Sequence, residues 1–356
     1  MIVKKMPILQ GFPGFDTVKN LSMYIAEFSE FSPAFYDIET TGLSRSTAFV
    51  YLIGAVVYEE NGWQLYQWLG EGQDEEADLL TAFSDFLQKA TCTIQYNGDR
   101  FDQPFLQARY ALHGIPSPFG ELPSLDLYRS LKKCAPLLKL SGMKQPELEA
   151  FLGLPGRKYC DGRACIRCCR SYVKSHDSQL LEEVLGHNRE DLLGLGNIFS
   201  MLSYLALYQG DFDVDKVTAD DREVTAELIL PFPLPVPVSN GSKHFYLRAE
   251  GTKARLLLPM KDGTLRQYYD DYKNYDYLPL EDTVIPKSLS AYVAKKARVP
   301  AKKENCYTWF LCTESFLEND CRHTPFLRHT MPYYLDSLNW KEPTRSENAA
   351  EKLKNP

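Results

Sequence analysis

The sequence has no apolar run approaching the roughly 18 residues that a membrane span needs. Its N-terminus, MIVKKMPILQGFPGF, carries two lysines, but Pro7, Gly11 and Pro13 break the apolar stretch, so no signal peptide is expected. These two absences predict a cytoplasmic protein with no membrane partner. There is also no basic excess. The chain holds 40 Lys+Arg against 47 Asp+Glu, a formal charge of -7. A nucleic-acid binder is usually basic, although local patches decide docking. No internal repeat is visible, which excludes a solenoid or propeller. The cysteines are nine, an odd number that fits reduced or partly metal-bound thiols better than a disulfide framework. At 44% hydrophobic and 24% charged, the composition is neither disordered, collagen-like nor coiled-coil.

What is present reads as two domains, since a typical domain runs roughly 100–200 residues and the chain has 356. The first spans 1–210, a polar acidic linker 211–230, an accessory domain 231–335 and a fraying polar tail 336–356. The acidic excess sits in the first part: residues 1–210 hold 19 basic and 25 acidic side chains. Strands are expected at 33–38, 49–60, 63–69, 92–96 and 124–128, with an Asn61-Gly62 hairpin turn. Helices are expected at 74–90 and 101–114, and through most of 128–210. Acids crowd the start of the 74–90 helix, as its dipole favours. The order predicts an α/β fold, a mixed sheet flanked by helices. Prolines at 231, 233, 235 and 237 forbid a helix and a central strand there. The C-terminal domain is therefore expected to be β-rich or α+β.

Three strings carry chemistry. In Asp37-Ile38-Glu39-Thr40-Thr41-Gly42-Leu43, two carboxylates two apart at a strand end share one face of the sheet. Such a pair suits a hard divalent cation, and the following turn brings backbone close to a ligand. In Asn97-Gly98-Asp99-Arg100-Phe101-Asp102, Asp102 opens a helix, where an acid alone is ordinary. In His187-Asn188-Arg189-Glu190-Asp191, His187 and Asp191 share one helix face, and Glu190 lies off it.

In that order, DIETTGL, YNGDRFDQPFL and HNREDLLGL resemble the three motifs of the DEDD exonucleases of the ribonuclease-H-like superfamily. More closely, residues 33–209 resemble the YprB-type ribonuclease-H-like domain. The resemblance implies a ribonuclease-H-like fold, a metal-dependent 3′–5′ exonuclease and two Mg2+ or Mn2+ ions on Asp37, Glu39, Asp102 and Asp191. Two such ions would stabilise the attacking and leaving oxygens of a phosphoryl displacement. It implies His187 as general base, and nucleic acid, in the form of single-stranded 3′ ends, as partner. Thr40, Thr41, Gly42, Leu43, Asn97 and Phe101 would then line the substrate cleft. One feature departs from the pattern. The His form of the third motif has a longer His-to-Asp spacing than the Tyr form, and here a His takes the shorter, four-residue offset. That leaves the metal role of Asp191 intact and alters the reach of His187.

Cys160, Cys165, Cys168 and Cys169 form C-x4-C-x2-C-C, which matches no zinc or iron–sulfur spacing, so idle or buried thiols are expected. Between Arg157 and Lys174 six basic residues face one acid, Asp161. That local excess fits phosphate-backbone binding or a solvated surface. Tyr268, Tyr269, Tyr272, Tyr275 and Tyr277 precede Lys295, Lys296, Arg298, Lys302 and Lys303. Ordinary packing is preferred there over a single-strand platform. Two further functions stand beside the exonuclease: a non-catalytic nucleic-acid-binding protein of the same fold, and a phosphodiesterase for short oligonucleotides.

Overall fold

A computed structural model of the chain describes residues 1–25, 31–60 and 62–338. They fall into two compact units, one of residues 1–132 and 143–202, the other of 133–142 and 203 onward.

The first unit is built on a six-stranded sheet. Its strands are β1 (Ile2–Pro7), β2 (Pro33–Thr40), β3 (Val50–Glu59), β4 (Gly62–Leu69), β5 (Cys92–Gln95) and β6 (Ser124–Asp126). Their spatial order is β1-β4-β3-β2-β5-β6, with β5 parallel to β2 and to β6 and the other pairs antiparallel. The strands and hairpin expected from the sequence are present. Asn61 itself lies outside the described residues; Gly62 has φ +106°, a conformation that favours glycine. Strand β1 carries no strong strand signal of its own. It exists because β4 offers an edge to pair with, and Lys4 and Lys5 stay exposed on it.

The helices of this part of the chain are α1 (Phe15–Ile25), α2 (Glu76–Leu87), α3 (Asp102–His113), α4 (Leu127–Leu131), α5 (Ala135–Leu138, in the second unit), α6 (Gln145–Phe151), α7 (Gly162–Ser175) and α8 (Ser178–Phe199). Helices α2 and α3 cover one face of the sheet, around Tyr36, Ile53, Trp68, Phe83 and Phe105. Helices α7 and α8 cover the other, where Tyr51, Leu52 and Leu69 meet Cys165, Cys169 and Val184. Burial on both faces explains why β3 reads as a continuous apolar run. Contrary to the expectation of no such run, the helical stretch Ser178–Gln209 is long and apolar enough to cross a membrane by length and composition. Within it, 78% of the most apolar window is buried inside the protein, as in a core helix.

Glu76, one of the acids that crowd the start of α2, is fully buried. Its Oε1 accepts the Val50 amide at 2.9 Å and Arg109 Nε at 2.8 Å, and its Oε2 faces His113 Nε2 at 2.9 Å. Burial opposes ionisation, but Arg109, the Val50 amide and His113 outweigh it and lower the Glu76 pKa. The residue ties α2, α3 and β3 together.

The second unit is α+β. After α9 (Leu205–Gln209), β7 (Asp213–Ala219), β8 (Glu223–Ser242) and β9 (Phe245–Pro259) form an antiparallel sheet. The segment 211–230 is thus not a linker: Val224, Ala226, Leu228 and Leu230 are buried at every second position of β8, and the pairing runs from Asp213↔Ile229 to Ala219↔Val224. Pro231, Pro233, Pro235 and Pro237 are exposed where the β8–β9 register breaks, as missing amide donors require. Smaller sheets follow from β10 (Thr264–Tyr268) with β14 (Tyr307–Leu311), and from β11 (Tyr275–Leu278), β12 (Thr283–Pro286) and β13 (Val299–Pro300). Helices α10 (Lys287–Ser290), α11 (Glu314–Leu317) and α12 (Asp320–Asp336) complete the unit. The tyrosines pack rather than form a platform: Tyr268 stacks on Tyr333 at 4.6 Å and Tyr269 on Tyr275 at 5.3 Å. Arg298 pairs with Asp276 and Lys303 with Asp336. Most of the expected polar tail lies outside the described residues.

Candidate active site

The site forms where α8 crosses the end of β2. Asp37 and Glu39 alternate with Ile38 along β2 and so share a face. The β2–β3 register shifts between Glu39 and Thr40, which ends regular pairing beside the site. Helix α8 approaches closely because β3 has Gly54 beneath it. A Cβ there would lie 2.0 Å from Asn188 Oδ1 and 2.6 Å from Leu192 Cδ1. Asn188, buried, donates to Asp37 Oδ2 at 2.9 Å and accepts from Gln67 Nε2 at 2.8 Å. Gln67 also donates to the Leu185 carbonyl at 2.8 Å. One amide relay therefore fixes Asp37 against α8. Sequence reading passed over Asn188 and Gln67; the only signal was their polarity on otherwise buried elements.

His187 and Asp191 come from the same helix face. His187 Nε2 is 3.3 Å from Glu39 Oε1 and 3.4 Å from Asp191 Oδ2. Carboxylate oxygens of Asp37, Glu39 and Asp191 all lie within 4.8 Å of one another. Asp102, 7% exposed at the start of α3, is not part of that trio but feels its charge. The loop before it is shaped by a residue the sequence did not single out. Asp126 accepts the amides of Asn97 at 2.9 Å and Asp99 at 3.2 Å, and its side chain also caps α4. That cradle holds Asn97 at φ +59°.

Charge is concentrated here at a cost. Burial first, then the charges of Asp191, Glu39 and Asp102, push the Asp37 carboxyl well above its ordinary range. Burial, then Asp191 and Asp102, do the same to Glu39, opposed by a hydrogen bond from Tyr51 and by Arg157. Burial and the charges of Asp126 and Asp191 raise Asp102 to about 7, against the pull of backbone hydrogen bonds. Asp191 is raised by burial, with Arg157 and His187 offsetting it. Converging hard oxygen donors that repel one another when ionised fit a divalent cation, which relieves that repulsion. The cation present among them is Arg157, whose Nη1 lies 2.5 Å from Asp191 Oδ1 while its Nε and Nη2 grip Glu149 at 2.9 and 2.7 Å. Gln145 donates to Glu149 Oε1 at 3.1 Å and to the Asp191 backbone carbonyl at 2.6 Å.

The residues expected along a substrate cleft divide. Thr40 Oγ1 donates to the Gly42 carbonyl at 2.9 Å, and Thr41 Oγ1 accepts the Phe49 amide at 3.1 Å, so both hydroxyls are used within the turn. Within the protein a Cβ at Gly42 would meet only Ala48, at an ordinary 3.5 Å. Leu43 is 84% exposed, which excludes core packing. Phe101 is half-buried against Phe105, ring centroids 5.6 Å apart. A groove of about 480 Å³ starts at Thr41 and runs between β3 and α7, edged by Arg170 and Lys174. On α7, Cys165, Cys169 and Tyr172 point inward while Arg163, Arg167, Arg170 and Lys174 are exposed on the opposite face. The basic run is thus a helix face adjoining the groove.

Residues 34–203 match the family model of the RNase_H superfamily. The chain is 28% identical over 178 residues to the Bacillus subtilis (strain 168) uncharacterized protein YprB, covering 48% of this chain and 41% of that one. It is 32% identical over 115 residues to human Three-prime repair exonuclease 1, covering 32% of this chain and 31% of that one. A solved family B DNA polymerase from the archaeon Pyrobaculum calidifontis is 16% identical, with a TM-score of 0.41, covering 50% of this chain and 25% of its own. The chain thus spans less than half the length of the curated relatives it matches. With the mixed sheet, its flanking helices and the acidic cluster at the end of β2, residues 34–203 constitute a ribonuclease-H-like domain.

Proposed function

We propose that the protein is a metal-dependent 3′–5′ exonuclease that hydrolyses terminal phosphodiesters at single-stranded ends of DNA or RNA. The observation that carries this reading is the convergence of Asp37, Glu39 and Asp191 within 4.8 Å, with His187 against two of them. Similarity to Three-prime repair exonuclease 1 over 115 residues supports it. Asp37, Glu39, Asp191 and Asp102 would hold two Mg2+ or Mn2+ ions. Bound there, the ions supply charge stabilisation for an in-line phosphoryl displacement. Asn188 keeps Asp37 oriented, and Arg157 does so for Asp191. His187 takes the proton of the attacking water at Nε2, the nitrogen that faces Glu39 and Asp191. Its four-residue offset from Asp191 does not keep it from the cluster. The exposed Leu43 packs on the terminal base, and Phe101 and Asn97 line the same cleft. The basic face of α7 draws the phosphate backbone.

The test uses end-labelled single-stranded DNA and RNA with Mg2+ or Mn2+, beside Asp37→Ala, Asp191→Ala and a chelator control. Stepwise shortening from the 3′ end that both substitutions and chelator abolish is the expected result. Binding without cleavage of either polymer overturns it in favour of a non-catalytic binding protein. Activity confined to short oligonucleotides, with little salt dependence, points to the phosphodiesterase instead.

A further inference from the structure

One member of the cysteine run stands apart from the others. Cys165 lies on the inward face of α7, fully buried, one turn after Gly162. Its Sγ, a nitrogen of His187 and a carboxylate oxygen of Glu39 all lie within 4.8 Å of one another, and all three residues are buried. Donors of a tetrahedral zinc site sit roughly 3.3–3.8 Å apart, given bonds of about 2.0–2.3 Å. His187 and Glu39 are already at 3.3 Å, so modest closure by one thiol completes the set. His187 is 7% exposed; the nitrogen it turns toward Glu39 is Nε2, and its Nδ1 is buried with no hydrogen-bond partner. The Tyr51 hydroxyl donates to Cys165 Sγ at 3.4 Å, an outer hydrogen bond of the kind that steadies a metal-bound thiolate.

We propose that Cys165, His187 and Glu39 form a binding site for a borderline-soft divalent cation, Zn2+ above all, that overlaps the oxygen-donor cluster. The donor chemistry separates the two. Mg2+ takes oxygen donors and gains nothing from a thiol, whereas zinc prefers sulfur and imidazole. On binding, the Cys165 S–H bond breaks, its proton leaves to solvent and a sulfur–metal bond forms, with no change of oxidation state. Three protein donors leave a fourth position for water. Because Glu39 and His187 belong to both sites, zinc removes one carboxylate and the base from the oxygen-donor centre, and it inhibits where Mg2+ supports turnover. The ligand set stands independently of the nuclease reading; the inhibition rests on it.

The experiment is a Co2+ titration of the full chain in excess Mg2+, read by absorbance without substrate. The expected result is a near-ultraviolet thiolate-to-cobalt band that saturates at one equivalent, is bleached by Zn2+, is lost in Cys165→Ser and Cys165→Ala, and persists in Cys168→Ser. No band in the wild type, or a band retained in both Cys165 variants, overturns the site. Thermal melts of the variants check their folding. In nuclease assays, Cys165→Ser keeps the Mg2+-supported rate and raises the half-inhibitory Zn2+ concentration at least tenfold. An unchanged value overturns the inhibition. A cobalt band in a protein without nuclease activity leaves the site standing and removes the nuclease reading alone.

Discussion

Without metal, the acidic cluster strains the fold, and Asp102 is where that strain is best measured. Burial and neighbouring carboxylates raise it from an ordinary 3.8 to about 7. Such a group favours the folded state below its unfolded pKa, and that contribution is lost as pH rises through the folded one. The metal-free protein therefore loses stability between about pH 4 and pH 7 on account of Asp102. Three units at about 1.4 kcal/mol each set an upper limit of about 4 kcal/mol. The charges of Asp37, Glu39 and Asp191 titrate in concert with it, so about half of that, roughly 2 kcal/mol, is expected to report on Asp102 alone. Asp102→Asn removes the charge while keeping the shape. In chelator, its Tm should exceed the wild-type value by about 4–8 °C at pH 8, with the difference vanishing or reversing near pH 4.5. Scanning calorimetry or circular dichroism at both pH values decides it. A Tm difference of the same size at both would refute the argument, because a lost charge, unlike a lost contact, must titrate.

Three further substitutions test the scaffold. Asn188→Ala removes the donor that orients Asp37 and should weaken Mn2+ binding about tenfold by isothermal calorimetry; unchanged affinity would dismiss the relay. Gly54→Ala drives a methyl into Asn188 and Leu192, and should cost about 2–3 kcal/mol in chemical denaturation; a neutral effect would mean α8 can move off the sheet. Arg109→Met leaves buried Glu76 without its guanidinium partner and should cost about 3–5 kcal/mol. Wild-type-like denaturation would show that the Val50 amide and His113 suffice.

The amino-acid sequence by itself determined the sheet and the catalytic candidates. β-Branched and aromatic runs, the hairpin between β3 and β4, and apolar spacing in α2 and α3 are local signals, and local backbone physics reads them. Asp37, Glu39, His187 and Asp191 were singled out because DIETTGL and HNREDLLGL resemble exonuclease motifs; strand alternation and helical spacing then say which of these side chains share a face. Tertiary structure decided what depends on distant partners. It turned 211–230 from a linker into a paired hairpin, since the alternating apolar side chains of β8 need β7 and β9 to give them a buried side. It made Glu76 a buried tie and made β1 a strand, because Arg109 and the β4 edge come from elsewhere in the chain. It drew Cys165 out of a spacing that matched no metal motif and set it beside His187 and Glu39. Spacing along the chain describes ligands on one element, whereas here three elements each contribute one.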